Sequence, residues 1–407
     1  MPSSGFWGVV VAARFIGGLV RRNGLPLLFG PSAKPSASDR AGPPDILRPV
    51  SAAGFRAQFP VLDDLAYLNA GTDGPLPAAA VQAAQRELDA QARGGRAREH
   101  FEHRGELSDA LRACYADALR CEPADLSLTT CTSEGLSIVV DGIGLREGDE
   151  ILTSDEEHPG LLGCLAAARE AAGVSVRLAP FMEIHAHVGP RTRLIACSHV
   201  SWMTGRHCPA ELAGVDVPLV LDGAQGAGAV PVDLRALGCD AYAGAGQKWL
   251  CGPDGTGMLY TSAELRGRLS VKRRGYGNIE DPDEGLEARL HDDSRRLDTL
   301  ALSAETLACA LAAAQTLQAE GWARVHERAR QLSTRLCELL GQAGRDVVEG
   351  SAGTLVSFTS PDPEQERATL AEQGVVLRDI PSRPRLRASV GAWNDESDLQ
   401  RLLDALR

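Results

Sequence analysis

The chain has 407 residues, of which 44% are hydrophobic and 24% are charged, and its formal net charge at pH 7 is −12. This composition is typical of a globular protein and excludes an intrinsically disordered or fibrous chain. A negative net charge without a long basic run argues against nucleic-acid binding and favours a small-molecule substrate. A chain of this length has room for one large and one small domain.

The first 45 residues differ in composition from the rest of the chain. An apolar run from Phe6 to Val20 is interrupted by Arg14, and a stretch rich in proline, serine and glycine follows as far as Pro44. The run is short for a membrane span and carries a charge. Its other positive charges follow it instead of preceding it, unlike those of a secretory signal. We therefore predict a poorly ordered extension over residues 1–45 and no membrane partner.

The ten cysteines are scattered, without the paired spacing of a zinc site or the density of a disulfide framework. This pattern predicts no metal site, reduced thiols and a cytoplasmic location. Four of them lie in segments with helical periodicity, where a cysteine usually behaves as a small buried hydrophobe. They are Cys114, Cys164, Cys309 and Cys337.

From about Arg56 onward, short β-branched runs alternate with segments of helical periodicity such as Leu161–Ala172. This alternation predicts an α/β fold with a mostly parallel sheet. The predicted strands all have the length of buried strands. They are Leu126–Thr129, Glu150–Thr153, Ser175–Leu178, Arg193–Ala196, Leu219–Leu221, Ala241–Ala243 and Gly257–Tyr260.

Beyond Leu300 the pattern becomes helix-rich and indicates a smaller α+β domain. The predicted elements are helices at Ser303–Glu320 and Trp322–Gln342, strands near Thr354–Phe358 and Arg385–Val390, and a last helix from Glu396. We predict four parts of the chain, namely the extension over 1–45, a segment near the active site over 46–75, a large domain over 76–300 and a small domain over 301–407.

Two segments together indicate a specific chemistry. An apolar strand ends at Asp222 and a glycine turn, and Gly246-Gln247-Lys248-Trp249 follows later in the chain. Taken singly, the aspartate could be a turn or cap residue and the lysine a solvated charge. Together they suit an enzyme that uses pyridoxal 5′-phosphate (PLP), which needs a lysine for a Schiff base and a carboxylate to keep the pyridine nitrogen protonated.

The run from Asp222 to Tyr260, DGAQGAGAVPVDLRALGCDAYAGAGQKWLCGPDGTGMLY, resembles the core of the class V aminotransferase and cysteine desulfurase family. With fewer matching residues, the resemblance extends from about Phe59 to Arg407. It implies PLP fold type I, like aspartate aminotransferase, with a large domain around a mostly parallel central sheet and a smaller C-terminal α+β domain. It also implies an amino-acid substrate and PLP as cofactor.

The resemblance assigns the catalytic positions residue by residue. Lys248 matches the Schiff-base lysine, Asp222 matches the partner of the pyridinium nitrogen, and Gln225 matches a residue that hydrogen-bonds the phenolic oxygen of PLP. His158, in Asp-Glu-Glu-His-Pro-Gly, matches the histidine that stacks on the PLP ring. A surface or helix-cap histidine is the alternative for His158.

Further positions are assigned to the cofactor. In the turn Thr-Cys-Thr-Ser-Glu-Gly, the hydroxyls of Thr132 and Ser133 and the backbone N–H groups of the helix start are expected to hold the phosphate, and a simple helix cap is the alternative. Gln247 stands where the family often has a histidine, and its neutral amide cannot act as an acid or base. Thr299 matches a position that reaches the phosphate of the neighbouring subunit, which implies a homodimer with the active site at the subunit interface.

Three residues are assigned to the substrate. Arg387, in Leu-Arg-Ala-Ser, matches the arginine that binds the α-carboxylate through its planar fork, and a solvated strand arginine is the alternative. Trp202 stands where an asparagine often contacts the cofactor, and Asn69 lies in another loop of the site. We expect loops 69–75, 202–208 and 275–283 to form the side-chain pocket.

Departures from the family affect the expected reaction. Residues 374–387 contain no cysteine, which argues against the sulfur relay of a desulfurase, and Ala245 replaces a serine that often binds the phosphate. We therefore expect C–S bond cleavage by β-elimination on a cysteine-like substrate, with Lys248 removing the Cα proton. Transamination and epimerisation remain open. A non-catalytic sensor is less favoured, because Lys248, Asp222 and Arg387 are all present.

Overall fold

The structure is a computed structural model that describes residues 52–350 and 353–407. The predicted extension over residues 1–45 lies outside the described residues. None of the described helices is long and apolar enough to cross a membrane.

The described part of the chain contains eleven α-helices. They are α1 (Ala52–Arg56), α2 (Ala78–Gly94), α3 (Arg98–Leu119), α4 (Thr132–Gly142), α5 (Pro159–Ala172), α6 (Leu234–Leu237), α7 (Ala263–Arg268), α8 (Ala304–Glu320), α9 (Trp322–Gln342), α10 (Pro363–Glu372) and α11 (Glu396–Ala405). Within the same ranges there are twelve strands. They are β1 (Ala66–Tyr67), β2 (Leu126–Thr129), β3 (Glu150–Ser154), β4 (Ser175–Ala179), β5 (Thr192–Ser198), β6 (Leu219–Asp222), β7 (Ala241–Ala245), β8 (Gly257–Thr261), β9 (Leu355–Thr359), β10 (Val375–Val376), β11 (Arg378–Asp379) and β12 (Arg385–Ser389).

A seven-stranded sheet forms the centre of the molecule, with strand order β2-β8-β7-β6-β5-β3-β4. Strands β4, β3, β5, β6 and β7 pair in parallel, and β8 runs antiparallel to both β2 and β7. All seven strands predicted from the sequence lie in this sheet. The predicted α/β fold with a mostly parallel central sheet is confirmed.

The sheet is covered on both faces. In β6, Val220 packs with Leu136 and Leu165 in one hydrophobic cluster, whereas the next residue, Leu221, packs with Tyr115 in another. Successive side chains of a strand point to opposite faces, so apolar residues at consecutive positions require apolar partners on both sides. This explains why the strands read as continuous apolar runs instead of alternating ones.

A smaller antiparallel sheet, β11-β12-β9, lies in the C-terminal part of the chain. Strand β9 was predicted one residue too early, and the two-residue strands β10 and β11 were not predicted. Strand β1 pairs in parallel with β10, and Asn69 bridges to Ser389. These pairings bring the segment after Tyr67 to the C-terminal sheet.

Helix α9 has the bounds expected from its periodicity, whereas α8 begins one residue later than predicted, because Ser303 is its N-cap. Helix α8 packs against α2 and α3. Of the four cysteines predicted to lie in helices, Cys114, Cys164 and Cys309 are buried and Cys337 is half-buried. The division into a large and a small domain stays a prediction.

Candidate active site

Lys248 lies in the turn that follows β7, at the carboxyl edge of the central sheet. The backbone N–H of Gly74 donates to the carbonyl of Gln247 at 2.7 Å. A Cβ on Gly74 would lie 1.9 Å from the Lys248 carbonyl oxygen, so only glycine permits this approach. The sequence did not single out Gly74, although it lies in a loop expected at the site.

Burial lowers the pKa of Lys248 to about 8, and the charge of Arg387 lowers it as well, while Asp222 and Asp73 oppose the shift. A lysine whose pKa lies near neutrality is a better nucleophile and base than a solvated lysine, because more of its amine is unprotonated. The environment of Lys248 therefore suits the role predicted for it.

Asp222 ends β6 and is buried. Its Oδ1 accepts a hydrogen bond from Ala224 N at 2.9 Å. Burial raises the pKa of Asp222, whereas this hydrogen bond and the Lys248 charge lower it. The buried carboxyl of Asp222 thus has a positive charge nearby that favours its ionised form. A protonated pyridine nitrogen requires an ionised carboxylate as its partner.

Gln225 is fixed at both ends of its amide. Its Nε2 donates to the Gly71 carbonyl at 2.7 Å, and its Oε1 accepts from Trp249 Nε1 at 2.9 Å. An amide nitrogen carries two hydrogens. One N–H of Gln225 therefore remains for the phenolic oxygen of a cofactor.

His158 caps helix α5, since its Nδ1 accepts from Gly160 N at 3.0 Å. Its ring meets that of Trp202 edge to face, with the ring centroids 5.0 Å apart. Burial, together with the charges of Lys248 and two arginines, lowers the pKa of His158 to about 4. The helix-cap alternative is correct for one ring nitrogen, and the neutral imidazole lies within electrostatic reach of Lys248 at the same time.

The turn before α4 differs in one detail from the expectation. The helix cap is Cys131, whose Sγ accepts from Glu134 N at 3.4 Å, so the alternative that Thr132 or Ser133 caps the helix is wrong. The Oγ1 of Thr132 is buried and has no hydrogen-bond partner among the described residues. The Oγ of Ser133 lies against Gly160, next to His158. Side chains that do not serve as caps at a helix start are available for an anion.

Thr299 lies beside the same helix within one chain. Its N–H donates to the Leu128 carbonyl at 2.8 Å, and its Oγ1 donates to Glu134 Oε1 at 3.1 Å. The adjacent Leu300 is exposed. The predicted contact with the phosphate of a neighbouring subunit stays a prediction.

Arg387 is fully buried in β12, so the alternative of a solvated strand arginine is wrong. Its Nη1 donates to the Trp202 carbonyl at 2.9 Å and its Nη2 to Thr72 Oγ1 at 3.5 Å. Among the described residues, no carboxylate forms an ion pair with Arg387. Burial lowers its pKa to about 9. A buried cation that has only neutral partners is suited to receive a carboxylate.

Arg378 is a site residue that the sequence did not indicate. It pairs with Arg387 across β11 and β12, and its guanidinium lies 5.6 Å from the centroid of the Trp202 ring. Like charges at opposite positions of two strands are unfavourable. No local pattern marks Arg378, because only the strand register places it beside Arg387.

The three loops expected to form the side-chain pocket lie in two different parts of the structure. Asn69 Oδ1 accepts from Thr72 Oγ1 at 2.9 Å, and both Thr72 and Trp202 hydrogen-bond to Arg387. Loops 69–75 and 202–208 thus meet at Arg387. Residues of loop 275–283, in contrast, line a cleft that also contains Phe101.

The residues present fit a polar ligand such as PLP. Several buried polar atoms of the residues assigned to the site, and of Ser389 in the same strand as Arg387, have no partner among the described residues, which is costly unless a ligand satisfies them. They are Thr132 Oγ1, Trp202 Nε1, Gln247 Oε1, Arg387 Nε and Ser389 Oγ. This set combines donors and acceptors near a lysine and a buried carboxyl.

Comparison with known proteins places the chain in a family. The model of the class-V aminotransferases matches residues 66–402. Isopenicillin N epimerase of Amycolatopsis lactamdurans is 31% identical over 394 residues, which cover 87% of this chain and 98% of that protein. Cysteine desulfurase CsdA of Escherichia coli (strain K12) is 34% identical over 243 residues, or 54% of this chain and 59% of CsdA.

Solved structures of the cystine C-S lyase C-DES are similar over most of the chain. The complex of C-DES with its product cysteine persulfide aligns with a TM-score of 0.81 and 31% identity, over 86% of this chain and 99% of C-DES. A C-DES mutant with glycine covalently linked to PLP aligns with a TM-score of 0.82 and 31% identity, over 86% of this chain and 98% of that chain.

Proposed function

The chain belongs to the class V aminotransferase family of PLP-dependent enzymes, and we propose that it cleaves the C–S bond of a cysteine-like amino acid by β-elimination. The water-consuming overall reaction converts an S-substituted cysteine into pyruvate, ammonium and the free sulfur compound. For cystine the sulfur compound is cysteine persulfide. The observation that carries this proposal is a pair of guanidinium groups near Lys248, those of Arg378 and Arg387, which form no ion pair with a carboxylate among the described residues.

The residues proposed to hold the cofactor lie at the carboxyl edge of the sheet and the start of α4. Bound PLP withdraws electrons from the substrate Cα. Thr132 and Ser133 would contact its phosphate with the backbone N–H groups of α4, Asp222 its pyridine nitrogen, Gln225 its phenolic oxygen, and Lys248 would bond it covalently. Gln247, beside the lysine, offers an unpartnered amide oxygen to the same site.

Lys248 is the proposed base. A pKa of about 8 keeps a substantial fraction of the amine neutral near physiological pH, so it can take the Cα proton and later return it. Gln247 cannot exchange protons, and the pKa of His158 near 4 keeps its imidazole neutral. A single base suffices for β-elimination, whereas inversion at Cα requires a donor on the opposite face.

The two arginines favour a substrate with two carboxylates. Arg387 would bind the α-carboxylate next to the reacting carbon, and Arg378 would bind a carboxylate farther along the substrate. Cystine has carboxylates at both ends, separated by the disulfide. The Trp202 ring, which lies under Arg378, would pack against the apolar middle of such a substrate.

Epimerisation is the second candidate, because isopenicillin N epimerase is 31% identical over 87% of this chain. An epimerase substrate with a distal carboxylate would also suit two arginines. Transamination needs reprotonation at the cofactor and has no specific observation in its favour.

The test is proton NMR in deuterated water on the PLP-loaded protein with a panel of amino acids, among them cysteine, cystine and S-substituted cysteines. Pyruvate appearing together with a thiol or persulfide would support elimination, and its absence with every cysteine derivative would exclude it. Deuterium at Cα alone would indicate an epimerase, and a keto acid that keeps its side chain would indicate an aminotransferase. Lys248→Ala is the control for each activity, because a catalyst loses turnover without this lysine.

We also propose that two copies of the chain form a dimer. Phe101 and Tyr276 are exposed aromatic residues whose ring centroids lie 5.5 Å apart. They line a cleft of about 1160 Å³ that also contains Thr299 and Leu300. Exposed apolar groups around a cleft are typical of an interaction surface. A second copy bound there would bring Thr299 close to the partner's site.

A cytoplasmic location is proposed from the cysteines. All ten lie among the described residues, and none of them forms a disulfide bond. Free thiols persist in a reducing compartment, whereas secreted proteins usually pair them.

A further inference from the structure

Glu157, the residue before His158, is a buried carboxyl that the proposed function does not use. Its Oε2 accepts hydrogen bonds from Ser198 N at 2.9 Å and from Ser198 Oγ at 2.6 Å. Its Oε1 also hydrogen-bonds the Oγ of Ser154, which is the donor to an ionised carboxylate and can be the acceptor from a protonated one. Because Ser154 and Ser198 are the last residues of β3 and β5, Glu157 connects the carboxyl ends of two adjacent strands.

The same carboxyl is a neighbour of Asp222. Ser198 and Asp222 are partners in the parallel register of β5 and β6. The negative charge of Asp222 also acts on Glu157, where it raises the pKa in addition to the effect of burial. Two buried carboxyls this close do not ionise together without a large electrostatic cost.

The surroundings of the two acids decide which one keeps a proton. Asp222 accepts a hydrogen bond from Ala224 N and faces the Lys248 charge, and both lower its pKa. Burial raises the pKa of Glu157 to about 7, even though hydrogen bonds from Ser154 and Ser198 lower it. The proton of the pair therefore belongs on Glu157.

Two thiols also face Glu157. Cys197 lies on β5 and Cys208 in the loop that follows, and both interact electrostatically with Glu157. Burial raises the pKa of Cys197 well above its usual value and that of Cys208 to about 12. Both thiols are neutral at physiological pH, so the negative charge that acts on Glu157 is that of Asp222.

We infer that Glu157 is a positioning residue for Asp222, which holds the proton of a two-carboxyl pair so that Asp222 stays ionised toward the cofactor. Through its hydrogen bonds to the ends of β3 and β5, Glu157 also stabilises the turn that contains His158. The inference rests on the cofactor role proposed for Asp222 and not on the identity of the substrate.

The sign of the pH effect follows from the direction of the shift. Folding raises the pKa of Glu157 from 4.5 to about 7, so the folded protein binds more protons than the unfolded chain within that window. The folding stability due to neutral Glu157 is present below the window and is lost as the pH rises through it. Glu157→Gln cannot ionise and does not lose stability in this way.

The first experiment measures the melting temperature of the PLP-loaded protein, without substrate, between about pH 5 and about pH 8. The expected result is that the melting temperature of Glu157→Gln rises relative to wild type as the pH increases. Ser154→Ala is the control, because it removes one hydrogen bond and keeps the carboxyl, so its relative melting temperature should not rise in this way. A difference between Glu157→Gln and wild type that stays constant with pH would show a purely structural role and overturn the inference.

A second measurement does not depend on the folding of Glu157→Gln. Infrared spectra of the wild type should contain the carbonyl stretch of a buried carboxylic acid that disappears with a midpoint near pH 7, the pKa of Glu157. In Asp222→Asn the midpoint should fall, because the neighbouring negative charge is gone. A missing band, or a midpoint that Asp222→Asn leaves unchanged, would contradict the shared proton. Neither measurement involves a substrate, so an error in the proposed reaction would not change the results.

Discussion

Asp222 and Arg387 are charged side chains that lie out of contact with water, and burial opposes the charged form of both. Within the described residues, Asp222 has a backbone N–H and the Lys248 charge as compensation, whereas Arg387 has a carbonyl and a hydroxyl. Charged groups are kept in such places when their charge is used for binding or catalysis. At the scale of single residues, substitution of Asp222 should chiefly affect turnover, whereas substitution of Arg387 should chiefly affect substrate binding.

Asp222→Asn should lower kcat by at least about 10²-fold, the order of loss expected when one electrostatic partner of the transition state is removed. The amide oxygen can still accept from Ala224 N, so the fold and covalent PLP binding should persist. The kinetic constants and the PLP absorption spectrum measure the two effects separately. An unchanged kcat would show that Asp222 does not support the cofactor.

Arg387→Ala should raise KM for every amino-acid substrate, while Arg378→Ala should raise KM chiefly for substrates with a second carboxylate. A charged hydrogen bond contributes about 1.5–3 kcal/mol, so each KM should increase roughly 10- to 150-fold. The measurement compares cystine with S-methylcysteine for both variants. Arg383→Ala, at an exposed position, is the matched control. Equal losses with both substrates in Arg378→Ala would contradict a distal carboxylate site.

At the scale of structural elements, the site depends on how closely the turn after β7 approaches the segment after β1. Gly74 donates its N–H to the Gln247 carbonyl, and Gln225, which follows β6, donates to the Gly71 carbonyl. These contacts join residues from three distant parts of the chain. The position of Lys248 is thus set by backbone packing as much as by its own side chain.

Gly74→Ala should lower the melting temperature and weaken PLP binding together, because its Cβ would lie 1.9 Å from the Lys248 carbonyl oxygen. The measurements are thermal unfolding and titration with PLP. Gly163→Ala is the control, since nothing lies within 4 Å of its Cβ. In the interior of α5 this change should stabilise the protein by up to about 1 kcal/mol. Normal PLP binding in Gly74→Ala would show that the close approach does not position Lys248.

At the scale of the whole molecule, the cleft beside Phe101 and Tyr276 is not lined by Arg387. It is lined by Thr299, however, which was assigned to the cofactor. Loop 275–283 was expected at the side-chain pocket and also lies there. Both observations agree with a site completed by a second copy of the chain.

Phe101→Glu should dissociate the proposed dimer, because a charge would be buried in an apolar interface. Sedimentation analysis should give the wild type twice the chain mass of 43.1 kDa and the variant a single mass, with reduced activity in the variant. Leu178→Glu, at another exposed apolar residue on β4, should sediment like the wild type. A fully active wild-type monomer would contradict the dimer proposal.

The sequence alone determined the fold class, the seven strands of the central sheet and the PLP chemistry suggested by Asp222 and Lys248. It could do so because buried strands require unbroken apolar runs, and because the motif around Lys248 is continuous in the chain. His158 was assigned from the resemblance of a short motif after a strand, and its role at the cofactor stays a prediction.

Only the tertiary structure brought Arg378 beside Arg387, Glu157 beside Asp222, and Gly74 against the Lys248 turn. Thr72 and Arg387, which share a hydrogen bond, are 315 positions apart in the chain. Such contacts depend on strand register and on which strands become neighbours, and a shift of one residue would turn each side chain to the other face of its sheet. Local sequence patterns carry no information about that register, so these partners became evident only in the folded chain.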